Sequence, residues 1–385
     1  MYDWQTLVDM VKSRTGKGLT GGVLSRAPGR VEVLGNHTDY NGGMVLAATI
    51  ERYVWTVGIR SGPTEICSRE FGDCVSVEPG PIERMERLSW QSYVKGVHWA
   101  FDRAGYVTRG LSAAVGGDVP LGAGVSSSAA LEVSYANFVD AMGGAVISKK
   151  DIASLAYDAE HLYCGIACGI MDQFTSQLCH EDSLLAIDCA TLKTWDIYLS
   201  PQLRLVVVDS MVKRAAADVL NKRKNECNQA LVTLQTAGWD VDSLCRLEPE
   251  SLPAIGRVLD DNLMKRATHV INENARVKRG IILLNAGRTE EFGELMRESH
   301  QSSRYLYEVS HPKLDLLVKI ANSQEGVLGA RLTGAGLGGG VLTLVKDRHV
   351  RTFQEQVSRT YERETGVTPA IISGSIPGGA ITSTI

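Results

Sequence analysis

Asp118-Val-Pro-Leu-Gly-Ala-Gly-Val-Ser-Ser-Ser-Ala-Ala-Leu-Glu132 is the stretch on which the reading of this chain turns. Gly122 and Gly124 remove side chains where backbone must approach something closely. Ser126, Ser127 and Ser128 follow, and a helix then opens on small residues. A helix N-terminus offers free N–H groups and the positive end of a dipole, which suits phosphate. Serine hydroxyls can add contacts to phosphate or magnesium. The glycines alone would read as a turn with serine N-caps. Joined to three serines and a small-residue helix start, they read as a phosphate loop. It is neither a Walker loop, which needs Gly-Lys-[Ser/Thr], nor a GxGxxG dinucleotide turn.

Working outward, Leu111 to Val115 reads as the strand feeding this loop, and 127–142 as the helix leaving it. Further strands are expected at 31–34, 45–50, 53–59, 184–188, 203–208, 327–332 and 341–345, with a final strand at 370–373. Helical patterns occupy 90–104, 151–163, 170–180, 213–236, 260–285, 290–300 and 350–365. Trp4, Leu7, Val8 and Val11 fit one face of an N-terminal helix. Strands and helices mix without strict βα alternation, so the class is α+β. A boundary falls near 190–200, dividing the chain into 1–196 and 197–385.

The chain has 385 residues, 44% hydrophobic and 22% charged, with a formal net charge of −4. That is a chain able to bury a core. It offers no whole-molecule attraction to nucleic acid or anionic lipid. No run of eighteen apolar residues is present, so no membrane span is expected. The N-terminus has no basic start followed by an apolar stretch, so it does not read as a signal peptide. The eight cysteines are scattered, and read as reduced thiols of a cytoplasmic protein. Cys164 and Cys168 lie four apart without a second pair, which does not make a zinc site. Glycine is enriched, at 39 residues or about 10% against a usual 7%.

Three more stretches carry polar groups or glycines in unusual density. Gly29-Arg-Val-Glu-Val-Leu-Gly-Asn-His-Thr-Asp-Tyr-Asn-Gly-Gly43 gathers Arg30, Asn36, His37 and Asp39. Such a set can bond the hydroxyls of a polyhydroxy ligand; alone it could equally be a polar turn. Arg331-Leu-Thr-Gly-Ala-Gly-Leu-Gly-Gly-Gly340 is a second glycine loop after a strand. Gly165-Ile-Ala-Cys-Gly-Ile-Met-Asp-Gln-Phe174 sets Asp172 among apolar residues, where a carboxylate must be paired or functional.

The order of these motifs resembles the GHMP kinase superfamily, with galactokinases as the most similar branch. Residues 28–43 are similar to its sugar signature, 119–132 to its phosphate loop and 330–341 to its C-terminal glycine motif. The segment 169–173 is similar to the one carrying its catalytic aspartate, and 90–97 to a segment near the adenine pocket. The resemblance runs from about residue 23 to the last strand. It implies a two-lobed α+β fold with the active site between lobes, and the final strand could return to the first lobe. It implies ATP and Mg2+ and phosphorylation of a sugar at its anomeric hydroxyl. Asp172 would be the base and Arg30 its charge partner. Ser128 and Glu160 would hold magnesium. Trp90, Gly122, Gly124, Ser126, Ser127 and Ser128 would line ATP. Asn36, His37, Asp39 and Gly169 would face the sugar.

Two positions depart from the pattern, both on the sugar side. The signature has Glu where this chain has Asn36; in the family that glutamate bonds the primary hydroxyl at C6. Leu220, in Asp218-Val-Leu-Asn221, aligns with a Tyr that contacts O4. Losing such a contact weakens recognition by about 1–3 kcal/mol. Galactose is the first expectation. Uronic acids, 6-deoxy sugars, amino sugars, pentoses and ketopyranoses are alternatives. A non-catalytic sugar and ATP sensor is a further one, disfavoured by the intact serine run and Asp172. The partners expected are a sugar and ATP, with neither nucleic acid nor membrane.

Overall fold

Side chains alternate along the long strand β2 (Met44–Arg60), and that alternation places one helix on each of its faces. Trp55, Val57 and Ile59 pack on α1 (Gln5–Thr15) through Leu7, Val8 and Val11. Thr56, between them, bonds Ser134 of α3 (Ser127–Gly143) on the opposite face. These relations come from a computed structural model that describes residues 2–213 and 217–385, with backbone alone at 217 and 218.

β2 sits inside a larger sheet. It pairs with β1 (Val23–Leu34) and β5 (Leu111–Gly117), and β5 continues to β3 (Thr64–Ser68) and β4 (Cys74–Val77). β6 (Ser183–Asp188) pairs with β2 and with β7 (Lys193–Tyr198). Pairing is antiparallel except between β3 and β5. Around this sheet lie α2 (Trp90–Arg103), α3, α4 (Lys149–Asp158) and α5 (Met171–Leu178). The chain then enters a second sheet of β8 (Leu203–Asp209), β9 (Val327–Leu332), β10 (Gly340–Lys346) and β11 (Ala370–Ser373), in the order β11-β8-β10-β9. Between β8 and β9 come α6 (Ala217–Thr236), the short α7 (Leu252–Ile255), α8 (Asp261–Asn285), α9 (Thr289–Tyr305) and α10 (Pro312–Asn322). α11 (Val350–Thr365) follows β10.

One continuous core joins the sheets, running from Val31 and Val33 of β1 to Val207, Leu342 and Leu344 of the second sheet. A separate cluster under α10 and α11 covers the second sheet's other face. Among the described residues no helix is long and apolar enough to cross a membrane.

The structure corrects several expectations. β11 is not the final strand: β12 (Ile381–Thr384) follows, leaves the second sheet and pairs antiparallel with β1 in the first. All four of its residues are exposed, so no apolar alternation marked it. The helix expected from residue 213 begins beside residues 214–216, which lie outside the described ones. The helix expected over 151–163 changes to a π-helical turn at Ala159–Tyr163, and Cys164 and Cys168 lie beyond it. Nor are all eight thiols free: Cys67 and Cys74 form a disulfide between facing positions of β3 and β4. Scattered spacing concealed a cross-strand pair that only the hairpin register reveals.

Candidate active site

Asp172 lies in the first turn of α5, and Arg30 reaches it from β1 across 142 residues of sequence. Arg30 Nε donates to Oδ1 at 2.7 Å and Nη2 to Oδ2 at 2.6 Å, a two-point pairing of guanidinium and carboxylate. Arg30 is buried, while the Asp172 side chain keeps 22% of its surface exposed. Ser126 Oγ donates to Oδ2 at 2.5 Å. A carboxylate has about four acceptor positions, so Oδ1 keeps one free for an incoming hydroxyl.

The phosphate-loop residues divide into two groups. Gly122, Ser127 and Ser128 line a cavity of about 410 Å³, together with Trp90. Gly124 and Ser126 turn instead toward the Arg30–Asp172 pair. The Gly124 carbonyl accepts from Arg30 Nη1 at 2.8 Å, and Ser126 holds Asp172 from a left-handed backbone, φ 55°. Ser126 is therefore occupied with the carboxylate rather than turned to a triphosphate. Trp90 donates from Nε1 to Asp73 at 2.8 Å and stacks on Phe71, with interplanar angle 7°. Ser68, Glu70, Phe71 and Tyr93 also line the cavity. Tyr93 falls inside the 90–97 segment, but nothing in the sequence marked Ser68, Glu70 or Phe71, which lie between the cysteines at 67 and 74.

Ser128 and Glu160 come together. Glu160 sits in the π-helical turn, a form common at functional sites. Burial, then the Asp172 charge, pushes its carboxyl up to about 7, while Ser128 and Gln173 pull it down. Gln173 Nε2 donates to Glu160 at 2.6 Å and to Glu132 at 2.9 Å. Glu132 Oε1 and Gln173 Oε1 are buried with no partner among the described residues. Neither residue was singled out from sequence, although both sit inside the quoted motifs.

The 35–41 turn lies on the other side of Asp172. Asp39 opens a short 3-10 helix, and its carboxylate presses on Gly169: a Cβ there would lie 1.9 Å from Oδ2. Burial, then the neighbouring carboxylates Glu32 and Asp172, pushes Asp39 up to about 7. His37 has a left-handed backbone, φ 64°, and burial pushes its imidazole well below the usual range, so it is neutral at pH 7.

Asn36 is held by protein groups at both ends of its amide. It is fully buried; Ser303 Oγ donates to its Oδ1 at 2.8 Å, and its Nδ2 donates to the Gly334 carbonyl at 3.0 Å. A carboxylate is nonetheless close: Glu32 Oε2 lies 3.5 Å from Asn36 Nδ2, and Glu32 Oε1 pairs with Arg331 at 2.8 Å. Beneath them Glu273 Oε1 accepts from the backbone N–H of Gly35 and Asn36, at 3.0 and 3.2 Å, and from Ser299 at 2.6 Å. Burial alone would raise the Glu273 carboxyl, but Arg276, Arg331, His269 and Ser299 hold it down to about 2. Leu220 is half-buried in the first turns of α6. That helix reaches the turn through Lys224 over the Tyr40 ring and Cys227 on Tyr307, but Leu220 brings no polar atom.

Three family models match the chain. GHMP kinases N terminal domain covers 92–179, galactokinase galactose-binding signature 13–60, and GHMP kinases C terminal 281–363. The galactokinase of Roseiflexus sp. (strain RS-1) is 38% identical over 357 residues, covering 92% of this chain and 91% of that protein. The galactokinase of Thermotoga maritima is 35% identical, covering 89% and 95%. Among solved structures, Lactococcus lactis galactokinase complexed with galactose superposes with TM-score 0.93 at 30% identity, covering 99% of each chain. The mevalonate kinase of L. major in complex with R-mevalonate, 17% identical with TM-score 0.62 over 94% of this chain and 98% of that one, shares the fold.

Proposed function

The chain belongs to the GHMP kinase superfamily, beside the galactokinases, and on that premise we propose that it is a sugar 1-kinase. It transfers the γ-phosphoryl group of ATP to the anomeric hydroxyl of a monosaccharide, galactose first. The observation that carries this reading is the Arg30–Asp172 pair, lying between the turn of Asp39 and the loop of Ser126.

An anomeric hydroxyl is a weak nucleophile until its proton is accepted. Asp172 is partly exposed, with an acceptor position free on Oδ1, and takes that role. Arg30 fixes the carboxylate and places positive charge beside the transferring phosphoryl group. Much of the acceleration comes from alignment. The triphosphate lies along Gly122, Ser127 and Ser128, with the base in the cavity of Trp90 and Phe71. Ser128 and Glu160 would hold magnesium; the unpartnered buried oxygens of Glu132 and Gln173 make this a hard-oxygen neighbourhood, which fits that ion. Magnesium bound there neutralises phosphate charge. The site falls between a lobe of 1–196 and one of 197–385.

On the sugar side, Asp39, His37 and the Gly169 backbone face the substrate. Glu32 and Asp172 are each paired with an arginine, Arg331 and Arg30, so the carboxylates here do not by themselves rank uronic acids against neutral hexoses. The alternative of another neutral sugar keeps its support in Leu220, where a phenol is replaced by an apolar group.

The test is ADP release across aldoses, uronic acids and ketoses, with the phosphate located on the product, in the wild type and in Asp172→Asn. The variant should lose at least about a hundredfold in kcat while binding ATP nearly as well. Near-normal turnover in Asp172→Asn would sink the base assignment, and phosphate at a carbon other than C1 would sink the reaction.

A further inference from the structure

The 35–41 turn carries a polar atom the protein does not use. His37 Nε2 is buried and has no hydrogen-bond partner among the described residues. The other ring nitrogen, Nδ1, lies 2.9 Å from Tyr40 Oη. Tyr40 Oη lies 2.9 Å from Tyr307 Oη, which in turn lies 3.3 Å from Cys227 Sγ. Four side chains thus form one hydrogen-bonded chain, ending at the fully buried Cys227, which the Asn41 side chain also approaches. The imidazole is held in orientation by stacking on Tyr307, at 4.7 Å and 24°.

Each member between the ends has one proton to give, so the chain can run in only two directions. Running toward Cys227, the imidazole Nδ1–H donates to a phenol oxygen and Tyr307 donates to a thiol sulfur, both weak acceptors. The Cys227 S–H then has no place in the chain. Running toward His37, the thiol donates to Tyr307, Tyr307 to Tyr40, and Tyr40 to an imidazole nitrogen, the strongest acceptor of the four. Tyr40 O–H donating to an imidazole nitrogen is a better match of donor and acceptor than imidazole N–H donating to a phenol oxygen, so the second direction is preferred, and the donor it leaves unmatched is the His37 Nε2–H itself, which a ligand can take up. With Nδ1 accepting from Tyr40, the proton of the neutral ring is on Nε2.

We propose that Cys227, Tyr307 and Tyr40 are positioning residues that fix His37 as its Nε2–H tautomer. The turn then presents its ligand with a hydrogen-bond donor at His37, next to an acceptor at Asp39. A hydroxyl meeting both takes a proton from one neighbour and gives its own to the other, a pairing an ether oxygen or a methyl group cannot complete. This rests on the reading of the turn as the sugar site, but the tautomer can be measured without any sugar.

The experiment uses the full-length protein labelled with 15N-histidine. The His37 signals are identified by their loss in His37→Gln, and long-range 1H–15N correlation reports which nitrogen carries the proton. Protonated Nε2 with an accepting Nδ1 is expected; protonated Nδ1 overturns the proposal. Tyr40→Phe, checked for a wild-type melting curve, should give a mixture of tautomers. It should raise the sugar KM about fivefold to tenfold, leaving kcat and the ATP KM within about twofold, consistent with one lost hydrogen bond. Cys227→Ser keeps a donor and should retain the wild-type tautomer, whereas Cys227→Ala should shift it toward Tyr40→Phe. A Tyr40→Phe variant with a single Nε2–H tautomer also overturns the proposal. Should the wild type turn over no sugar at all, the proposed function fails, and the tautomer measurement still decides the relay.

Discussion

Around the cavity proposed for the nucleotide, the parts that meet are near one another in the chain. The 118–132 loop runs straight into α3, and the hairpin loop after β3 reaches Trp90 through Asp73, 17 residues away. Its ends are tied by a disulfide over seven residues of sequence. Around the 35–41 turn the supports come from far off. Glu273 lies 238 residues from Gly35, Ser303 and Tyr307 each lie 267 from the residues they hold, and Arg331 lies 299 from Glu32. One side is built from local chain and a covalent staple, the other from polar groups of a second sheet and its helices. The two loops that could have been expected to behave alike therefore have different failure modes. Damage to the nucleotide side stays local, whereas the sugar side is sensitive to changes throughout α8 and α9.

The sharpest challenge to that contrast is Glu273→Gln. Its carboxyl is held down to about 2, from an ordinary value of 4.5. That depression stabilises the fold above pH 4.5 and is lost as pH falls through about 2. Its size is on the order of 3 kcal/mol. The variant should melt lower at pH 7, its deficit should shrink in acid melts between pH 4 and 2, and its sugar KM should rise. An equal deficit at every pH would remove the charge from the explanation.

The Cys67–Cys74 staple is expected to matter next. In a chain-entropy model, a loop this short contributes roughly 2–3 kcal/mol of stability. Cys67→Ser with Cys74→Ser should lower the melting temperature and raise the ATP KM modestly, leaving the sugar KM unchanged. A sugar KM that moved as much as the ATP KM would show the two sides to be coupled.

The smallest effect is expected at Gly169→Ala. The new methyl group must displace the Asp39 carboxylate, so the sugar KM should rise about tenfold, near 1.4 kcal/mol, with ATP binding unchanged. Measured isothermally for ATP and kinetically for sugar, an effect on ATP instead would place Asp39 on the wrong side of the site.

The same contrast explains what the sequence could disclose. The phosphate loop was legible because its glycines, serines and helix start are contiguous, and each has a backbone reason to be there. Asp172 and Arg30 were legible through the resemblance, although 142 residues separate them. Glu273, Ser303 and Tyr307 were not, since a polar residue on the inner face of a helix leaves no mark in periodicity until its distant partner is known. The surroundings of Asn36 were hidden for the same reason. Its identity stood out, but its amide is consumed by Ser303 and Gly334, and the nearby carboxylate belongs to Glu32. All four strands of the second sheet were read, whereas in the first sheet β3, β4 and β7 were not expected, and β12 was missed because its pairing with β1 needs only backbone.

That last strand has a consequence in time. Ser25 of β1 meets Thr382, 357 residues later. At a synthesis rate of 5–20 residues per second, β1 would wait roughly 20–70 s for its neighbour to be made. Through that interval the strand leading into Arg30 has an unpaired edge while the sheet behind it can already form. An open edge of this kind is a template for pairing with other chains. The nascent protein is thus most exposed to misassembly at the strand that carries half of its central ion pair, and a chaperone that shields that edge would be protecting the active site before it exists.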